Sequence, residues 1–467
     1  MSDQVVLLTS STERWGVRHT QIILMFLCMM IAYALRMNLA VAIVAMTDKS
    51  GTNKDFTTFD WDKRTQAMVL TSFFWGYLIT QVFAGQMSEK YGPKLFLAGA
   101  IGVNGILALG TPAAAIHGGV VAMCANRMIQ GMAQGFIYPS INVLLSKWAP
   151  LTEKSRIFSF VFSGIIFGPL IMLPVAGLLA GSPGGWPSIF YFTGIVSMLW
   201  VLVWYFYGVN SPSEHKTISA EEKRYITSSL SNSMSKKKLP TPWGKIVTSV
   251  PMWAILVAHF SQNWGFWTLL NNTPTYINEI LKFNIKSNGI LSALPYLTMW
   301  LMTIAISWIS DYINKRQYMT ITAQRKMWNT VAHWGGALAL FSLYMFDTST
   351  VEVLFLLTAA LTLNSGVYSG FLANHLDLAP NFAGTLMGIT NSLANVTSIM
   401  GPLLVGFMVD KDNPTKEQWG LVFLLSGGVF FVGNLFYIIF GSAETQQWNN
   451  SITDQPKELT KEDSPKS

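Results

Sequence analysis

The strongest constraint on this chain is a repeat of apolar blocks, each close to the ~20 residues that cross a bilayer as a helix. Twelve blocks are read near residues 20–46, 66–87, 94–115, 118–146, 157–181, 187–209, 251–277, 288–310, 327–346, 351–373, 382–408 and 418–441. Backbone surrounded by lipid must satisfy its N–H and C=O groups internally, so each block is expected to be a helix. Charge content agrees: 12% of residues are charged and 51% are apolar, whereas a soluble domain carries about 25% charged residues. So few charges cannot coat a water-facing surface. The predicted fold class is an all-α integral membrane protein, with twelve transmembrane helices in two six-helix halves. Its expected parts are a cytosolic N-terminus (1–19), a first half (20–209), a cytosolic linker (210–250), a second half (251–441) and a polar, disordered cytosolic tail (442–467).

No cleavable signal peptide is expected, because the first apolar run is too long for a signal core. Cys28 and Cys124 both fall inside apolar blocks, so no disulfide framework and no metal-ligand spacing follow. In the linker, Ser219-Ala220-Glu221-Glu222 is a capping-box pattern that starts a short helix. The run Lys236-Lys237-Lys238 behind it reads as a solvated linker at least as well as a lipid contact. The sequons at Asn271, Asn395 and Asn449 fall in spans or in the cytosolic tail, and none is expected to be modified.

The net charge of +7 would admit nucleic acid as a partner, but the placement of the charge argues otherwise. With a cytosolic N-terminus and alternating spans, cytosolic segments hold 21 of the 31 Lys and Arg and external loops hold 8. That bias puts both termini inside and turns the positive charge toward the cytosolic leaflet.

The two remaining cations, Arg36 and Arg127, lie inside spans. A charge at mid-membrane costs at least about 2.5–3.5 kcal/mol and ordinarily faces a cavity or a partner. The acids near spans sit at their ends: Glu89 and Asp311 at cytosolic ends, Glu279 and Asp410 at external ends. Arg36 lies about 15 Å from the outer end of span 1 and Arg127 about 14 Å from the outer start of span 4, at 1.5 Å per residue. At matched depth, two guanidinium groups without carboxylates suit an anion supplied from outside the protein. An anionic small molecule is therefore the expected cargo.

The loop after span 2 reads Gly85-Gln86-Met87-Ser88-Glu89-Lys90-Tyr91-Gly92-Pro93-Lys94. It resembles the loop pattern of the major facilitator superfamily, with Glu89 in place of the usual aspartate. Ser310-Asp311-Tyr312-Ile313-Asn314-Lys315-Arg316 after span 8 is a weaker echo. Gly85, Glu89, Gly92, Lys94 and Asp311 are thereby implied to latch one conformation. Longer strings are similar to the anion–cation symporter family, which contains sialin, the vesicular glutamate transporters and the sodium–phosphate cotransporters. They are Arg36-Met37-Asn38-Leu39-Ala40-Val41-Ala42-Ile43-Val44, Ser72-Phe73-Phe74-Trp75-Gly76-Tyr77, Arg127-Met128-Ile129-Gln130-Gly131 and Asn374-His375-Leu376-Asp377-Leu378-Ala379-Pro380. The resemblance covers roughly residues 20–448 and implies Arg36 and Arg127 as substrate residues.

The departures carry information. Leu70 stands where the glutamate carriers have histidine, and Gln262 where they have arginine. Gln130 and Gln134 stand where proton-coupled members carry glutamate, and glutamine exchanges no proton near neutral pH. The resemblance is closest to the inorganic phosphate cotransporters and implies sodium-driven uptake of phosphate or a small organic anion. Candidate sodium ligands are Asn38, Ser72, Asn142 and Asn391. His259, three residues before Gln262, is a candidate proton-coupling group. Tyr138, eleven residues after Arg127, is a candidate wall residue, and Pro139 is expected to bend span 4. His375 and Asp377 read as a structural turn.

No organic cofactor is implied, and no phosphate loop indicates ATP drive. The chain is expected to be a transporter and not an enzyme. A monomer in the plasma membrane, rather than in a vesicle or lysosome, is the expectation. A proton-coupled exporter of acidic sugars or amino acids, and an anion receptor without flux, remain alternative readings.

Overall fold

Each of the twelve apolar blocks lies in helix in the computed structural model, which describes residues 15–47, 56–230, 240–279, 285–409 and 414–449. Lys236, Lys237, Lys238, Asp410 and the tail beyond 449 lie outside the described residues, as do the side chains of Asn271 and Glu279. The first half comprises α1 (Val17–Thr47), α2 (Lys63–Tyr91), α3 (Pro93–Gln134), α4 (Ile137–Trp148), α5 (Lys154–Ala180) and α6 (Gly185–Tyr207). The linker holds α7 (Ala220–Leu230) and α8 (Trp243–Val247). The second half comprises α9 (Val250–Glu279), α10 (Ile285–Arg316), α11 (Ile321–Met345), α12 (Thr350–Asn364), α13 (Phe371–Leu378), α14 (Ala383–Asn395), α15 (Thr397–Met408) and α16 (Lys416–Phe440).

Three breaks shape the interior. Helix α3 is a hairpin of two limbs that meet at Gly119, whose φ of 56° suits a residue without a side chain. Asn104 and Asn126 join the limbs by donating to the carbonyls of Gln130 and Leu107. The second limb stops at Gln134 and resumes as α4 at Ile137. Pro139 supplies the reason: its ring clashes with the carbonyl four residues earlier, at Gly135. In the second half, α12 ends at Asn364 and a 3₁₀ turn (Ser365–Tyr368) precedes α13. One broken segment in each half faces the middle of the bundle.

Among the described residues, seven helical stretches are long and apolar enough to cross a membrane by length and composition alone, one of them the Pro93–Trp148 hairpin. Among the described residues the blocks at 251–277, 288–310, 327–346 and 382–408 are not in that set. Three of them carry polar groups on inner faces: His259 and Gln262 in α9, Asn329 and His333 in α11, and Asn391 and Asn395 in α14 are all buried. Large apolar chains such as Leu178, Phe206, Phe355 and Val432 point outward. This inverts a soluble protein and suits lipid as the surrounding solvent.

Polar bonds join the halves at the end of the bundle where α1 begins and α16 ends. Glu89 accepts the backbone N–H of Thr385 at 2.8 Å and its hydroxyl at 2.9 Å. Lys154 meets Asp377 at 2.8 Å, and the other oxygen of Asp377 takes Arg325 Nε at 2.7 Å. Asp311 accepts the backbone N–H of Arg156 at 3.0 Å. Gly85 lets α2 and α14 approach: a Cβ there would stand 2.6 Å from the Gly384 carbonyl. Gly92 and Lys94 do something different. The amide N–H of Lys94 donates to Asn210 and its ammonium to the Tyr205 carbonyl, within the first half and its exit to the linker.

The linker departs from its expected form. Ser219 accepts the N–H of Glu222, but Glu222 does not close the box. Its carboxylate accepts the N–H groups of Val17 and Arg18, capping α1 from 204 residues away in sequence. Those orphan donors at a helix N-terminus attract an anionic group.

Candidate functional site

Close packing of α2 on α3 builds the charged part of the site. A Cβ on Gly76 would stand 2.0 Å from the Met128 carbonyl, and one on Gly131 1.9 Å from the Phe73 carbonyl. Small residues let the backbones touch. Phe73 is thereby held between the two buried arginines, with its ring centre 4.8 Å from the Arg36 guanidinium carbon and 5.0 Å from that of Arg127. Tyr33 at 4.8 Å, Phe74 at 5.7 Å and Tyr77 at 4.6 Å complete an aromatic cage around Arg36.

Arg127 donates to Gln130 Oε1 at 2.9 Å and to the backbone carbonyl of Arg36 at 3.2 Å. The Nε of each arginine is buried without a hydrogen-bond partner. Among the described residues neither arginine forms an ion pair; the pairs engage Arg18, Lys154, Arg156, Arg325 and Lys416 instead. Cation–π contacts contribute about 0.5–2 kcal/mol each, while desolvating one ion costs several kcal/mol. The cage softens the burial of Arg36 without cancelling the charge.

Beside this pair is a small central cavity lined from both halves. Tyr33, Tyr138 and Ile165 form one side, and His259, Gln262, Asn263, Phe266, Trp267, Val367, Tyr368, Leu372, Asn391 and Asn395 form the other. Both helix breaks feed it: Tyr138 follows the first, and Tyr368 ends the 3₁₀ turn of the second. Tyr138, His259 and Gln262, selected from sequence, therefore share one cavity. Arg36 and Arg127 stand behind its wall in this conformation. Tyr33 both stacks on Arg36 and bonds Tyr138 through hydroxyls 2.6 Å apart. Tyr77, over the same guanidinium, accepts from Asn391 at 3.0 Å.

Gln262 is locked in a reciprocal amide pair with Asn364, at 2.6 and 2.9 Å. His259 Nδ1 lies 3.1 Å from the Thr390 hydroxyl. The four candidate sodium ligands bond to separate partners: Asn38 to Thr193, Ser72 to the Val69 carbonyl, Asn142 to the Tyr138 carbonyl and Asn391 to Tyr77. They do not share a partner.

Sequence reasoning missed Tyr33, Phe73 and Asn364. Tyr33 precedes Arg36 by one helical turn, so its place over the guanidinium was available from i,i+3 spacing. Phe73 and Asn364 required knowledge of which helices touch. Asp377, read as part of a simple turn, is the shared acceptor of an interhalf ion cluster.

Comparison with known proteins follows the same lines. The model of the Major Facilitator Superfamily matches residues 25–394. A "Putative inorganic phosphate cotransporter" of Drosophila ananassae is 41% identical over 93% of this chain and 94% of its own. Human "Sialin" is 36% identical over 92% of this chain and 90% of its own. Human "Vesicular glutamate transporter 2" is 36% identical over 90% and 73%. Among solved structures, the proton:xylose symporter XylE superposes with a TM-score of 0.67 at 15% identity, covering 92% of this chain and 98% of that one. The last likeness concerns fold alone. A twelve-block helical bundle with a polar centre, matched along nearly its whole length by such relatives, is a multi-pass membrane transporter and not an enzyme, and it belongs to the major facilitator superfamily, in the group that holds sialin, the vesicular glutamate transporters and the inorganic phosphate cotransporters.

Proposed function

We propose that the protein carries inorganic phosphate or a small organic anion into the cell, driven by sodium, by rocking its halves about the central cavity. The carrying observation is the buried pair Arg36 and Arg127, with two Nε groups unpartnered and no ion pair among the described residues. A cargo anion supplies the missing charge at mid-depth, and guanidinium forks match phosphate and carboxylate oxygens. In this conformation Tyr33 screens Arg36 from the cavity; rotation of Tyr33 away from Tyr138 would open the route. The name printed for the Drosophila relative supports phosphate as the first anion to try. We place the bonded end in the cytosol from the Lys and Arg bias, so the captured state is closed to the cytosol, in the plasma membrane.

The decisive experiment is uptake of labelled phosphate into vesicles with and without a sodium gradient. Uptake that collapses without sodium supports the reading. No uptake of phosphate or of a panel of organic anions under any gradient would overturn it. A second reading, proton-driven export of acidic sugars or amino acids, draws on His259 in the cavity wall. A pH gradient that drives flux without sodium would favour it.

A further inference from the structure

One hydroxyl in the second half lies between two histidines. His259 Nδ1 is 3.1 Å from Thr390 Oγ, and His375 Nε2 is 2.8 Å from the same oxygen. The other nitrogen of His375, Nδ1, is 2.9 Å from the Leu372 carbonyl. A carbonyl only accepts, so that nitrogen carries the proton and a neutral His375 presents a bare Nε2. The Thr390 hydroxyl, 2.8 Å from His375 Nε2 and 3.4 Å from the Met387 carbonyl, donates to the nearer His375, and His259 then donates its Nδ1–H to Thr390. The chain of bonds has one direction, from the cavity wall inward. Two residues beyond His375 is Asp377, which joins Lys154 of the first half to Arg325 of the second.

We propose that His259, Thr390 and His375 form a proton wire from the central cavity to the interhalf ion cluster at Asp377. The proposal rests on the reading of this chain as an alternating-access transporter, not on which anion or driving ion it uses. His259 takes a proton at Nε2 from the cavity that it lines. Its Nδ1 proton passes to Thr390 Oγ as the hydroxyl proton passes to Nε2 of His375. His259 ends neutral, the hydroxyl is regenerated and His375 becomes an imidazolium. No other co-reactant is needed.

The groups facing this path define the consequence. His259 faces His375 and, across the cavity, Tyr33 and Tyr138, with Tyr368 on its own side; His333 packs beyond Phe371. Near His375 lie Asp377, Lys154 and Arg325, and Tyr437 is held by Asn374. Asp377 already serves two cations. A third positive charge leaves the cluster under-compensated at low dielectric. Arg325 is also fixed by Ser369 and Ser155, at 2.7 and 3.1 Å. Both cations cross the halves, Arg325 through the Ser155 hydroxyl and Lys154 through Asp377 and the Leu376 carbonyl at 2.9 Å; Lys154 is the first-half cation whose departure loosens the joint. Protonation from the cavity side thus loosens the closed end, and Thr390 is a positioning residue that fixes both imidazole tautomers.

The test needs no substrate. Spin labels at Leu151→Cys and Lys315→Cys, with Cys28→Ala and Cys124→Ala, span the joint where the 3₁₀ turn Leu151–Glu153 meets α10. In the otherwise wild-type chain in nanodiscs, lowering the pH from about 8 to about 5, across the histidine range, should add a longer-distance population. Thr390→Ser should keep that response. Thr390→Val and His259→Gln should lose it and stay short, and Lys154→Met should show the long distance at both pH values. An unchanged wild-type distance overturns the proposal, as does a wild-type response in either Thr390→Val or His259→Gln. Because flux is not measured, a failed phosphate assay does not alter this outcome.

Discussion

Glu89 in α2 and Thr385 at the first turn of α14 are 296 residues apart and joined twice, through the Thr385 backbone N–H and its hydroxyl. The carboxylate meets a helix N-terminus, where orphan N–H groups and the helix dipole favour negative charge. Gly85, one helical turn earlier, lets the backbones come close enough for the bond.

Removing that carboxylate should open the closed end. Hydrogen bonds to charged groups contribute about 1.5–3 kcal/mol, so Glu89→Ala should shift the closed-to-open ratio roughly ten- to hundredfold toward open. Thr385→Val should shift it less. The Leu151–Lys315 label distance at fixed pH checks both, and a Glu89→Ala distribution identical to wild type would refute the assignment.

Asp377→Ala should cost more than either partner's neutral replacement, because it strands Lys154 and Arg325 as buried cations. Breaking a buried pair costs about 3–5 kcal/mol. Thermal unfolding in detergent should show a clear drop in Tm, and Lys154→Met a smaller one, since Asp377 keeps Arg325.

Arg36→Ala and Arg127→Ala should each reduce anion uptake by about ten- to hundredfold or more with the protein still in the membrane, from the loss of charge-assisted bonds. Arg36→Lys should not restore it. A compact ammonium has neither the fork nor the flat face that stacks among Tyr33, Phe73 and Tyr77. Full uptake by either alanine variant removes that arginine from the site, and full uptake by Arg36→Lys shows that charge without the fork suffices.

Gly131→Ala should destabilise the fold by about 1–3 kcal/mol, as overpacking does. The new methyl would meet the Phe73 carbonyl and push α2 off α3, disturbing the ring held between the arginines. Gly110→Ala is the control, since a Cβ there meets nothing within 4 Å. A Tm for Gly131→Ala equal to that of Gly110→Ala would contradict the close packing.

Gln262→Leu should leave both amide groups of Asn364 buried without their partner, at about 1–3 kcal/mol for each unmet group. The double replacement Gln262→Leu with Asn364→Leu should recover part of the loss, because an apolar pair has nothing to satisfy. A double variant less stable than the sum of the two singles would refute the pairing.

Much of the fold was legible because lipid permits so few solutions. Each apolar block had to be a helix, and the blocks that looked least apolar turned their polar residues inward, as His259, Gln262 and Asn391 do. Pro139 announced its break through a local steric rule. Arg36 and Arg127 were found by cost alone, since a charge at that depth demands a reason.

The remainder depended on which helices touch, and no local pattern carries that information. Ser219 and Glu222 had the spacing of a capping box, yet Glu222 caps α1 instead, because the fold brings the unpaired N–H groups of Val17 and Arg18 to it. Asp377 looked like a turn residue until packing placed one cation from each half beside it. By itself the sequence determined the solvent, the helical character of the apolar blocks and the two costly charges, all consequences of composition along the chain. Only the tertiary structure decided that Tyr33 stands between Arg36 and the cavity, and that Thr390 spans two histidines. Those depend on approaches of a few ångströms between segments far apart in sequence.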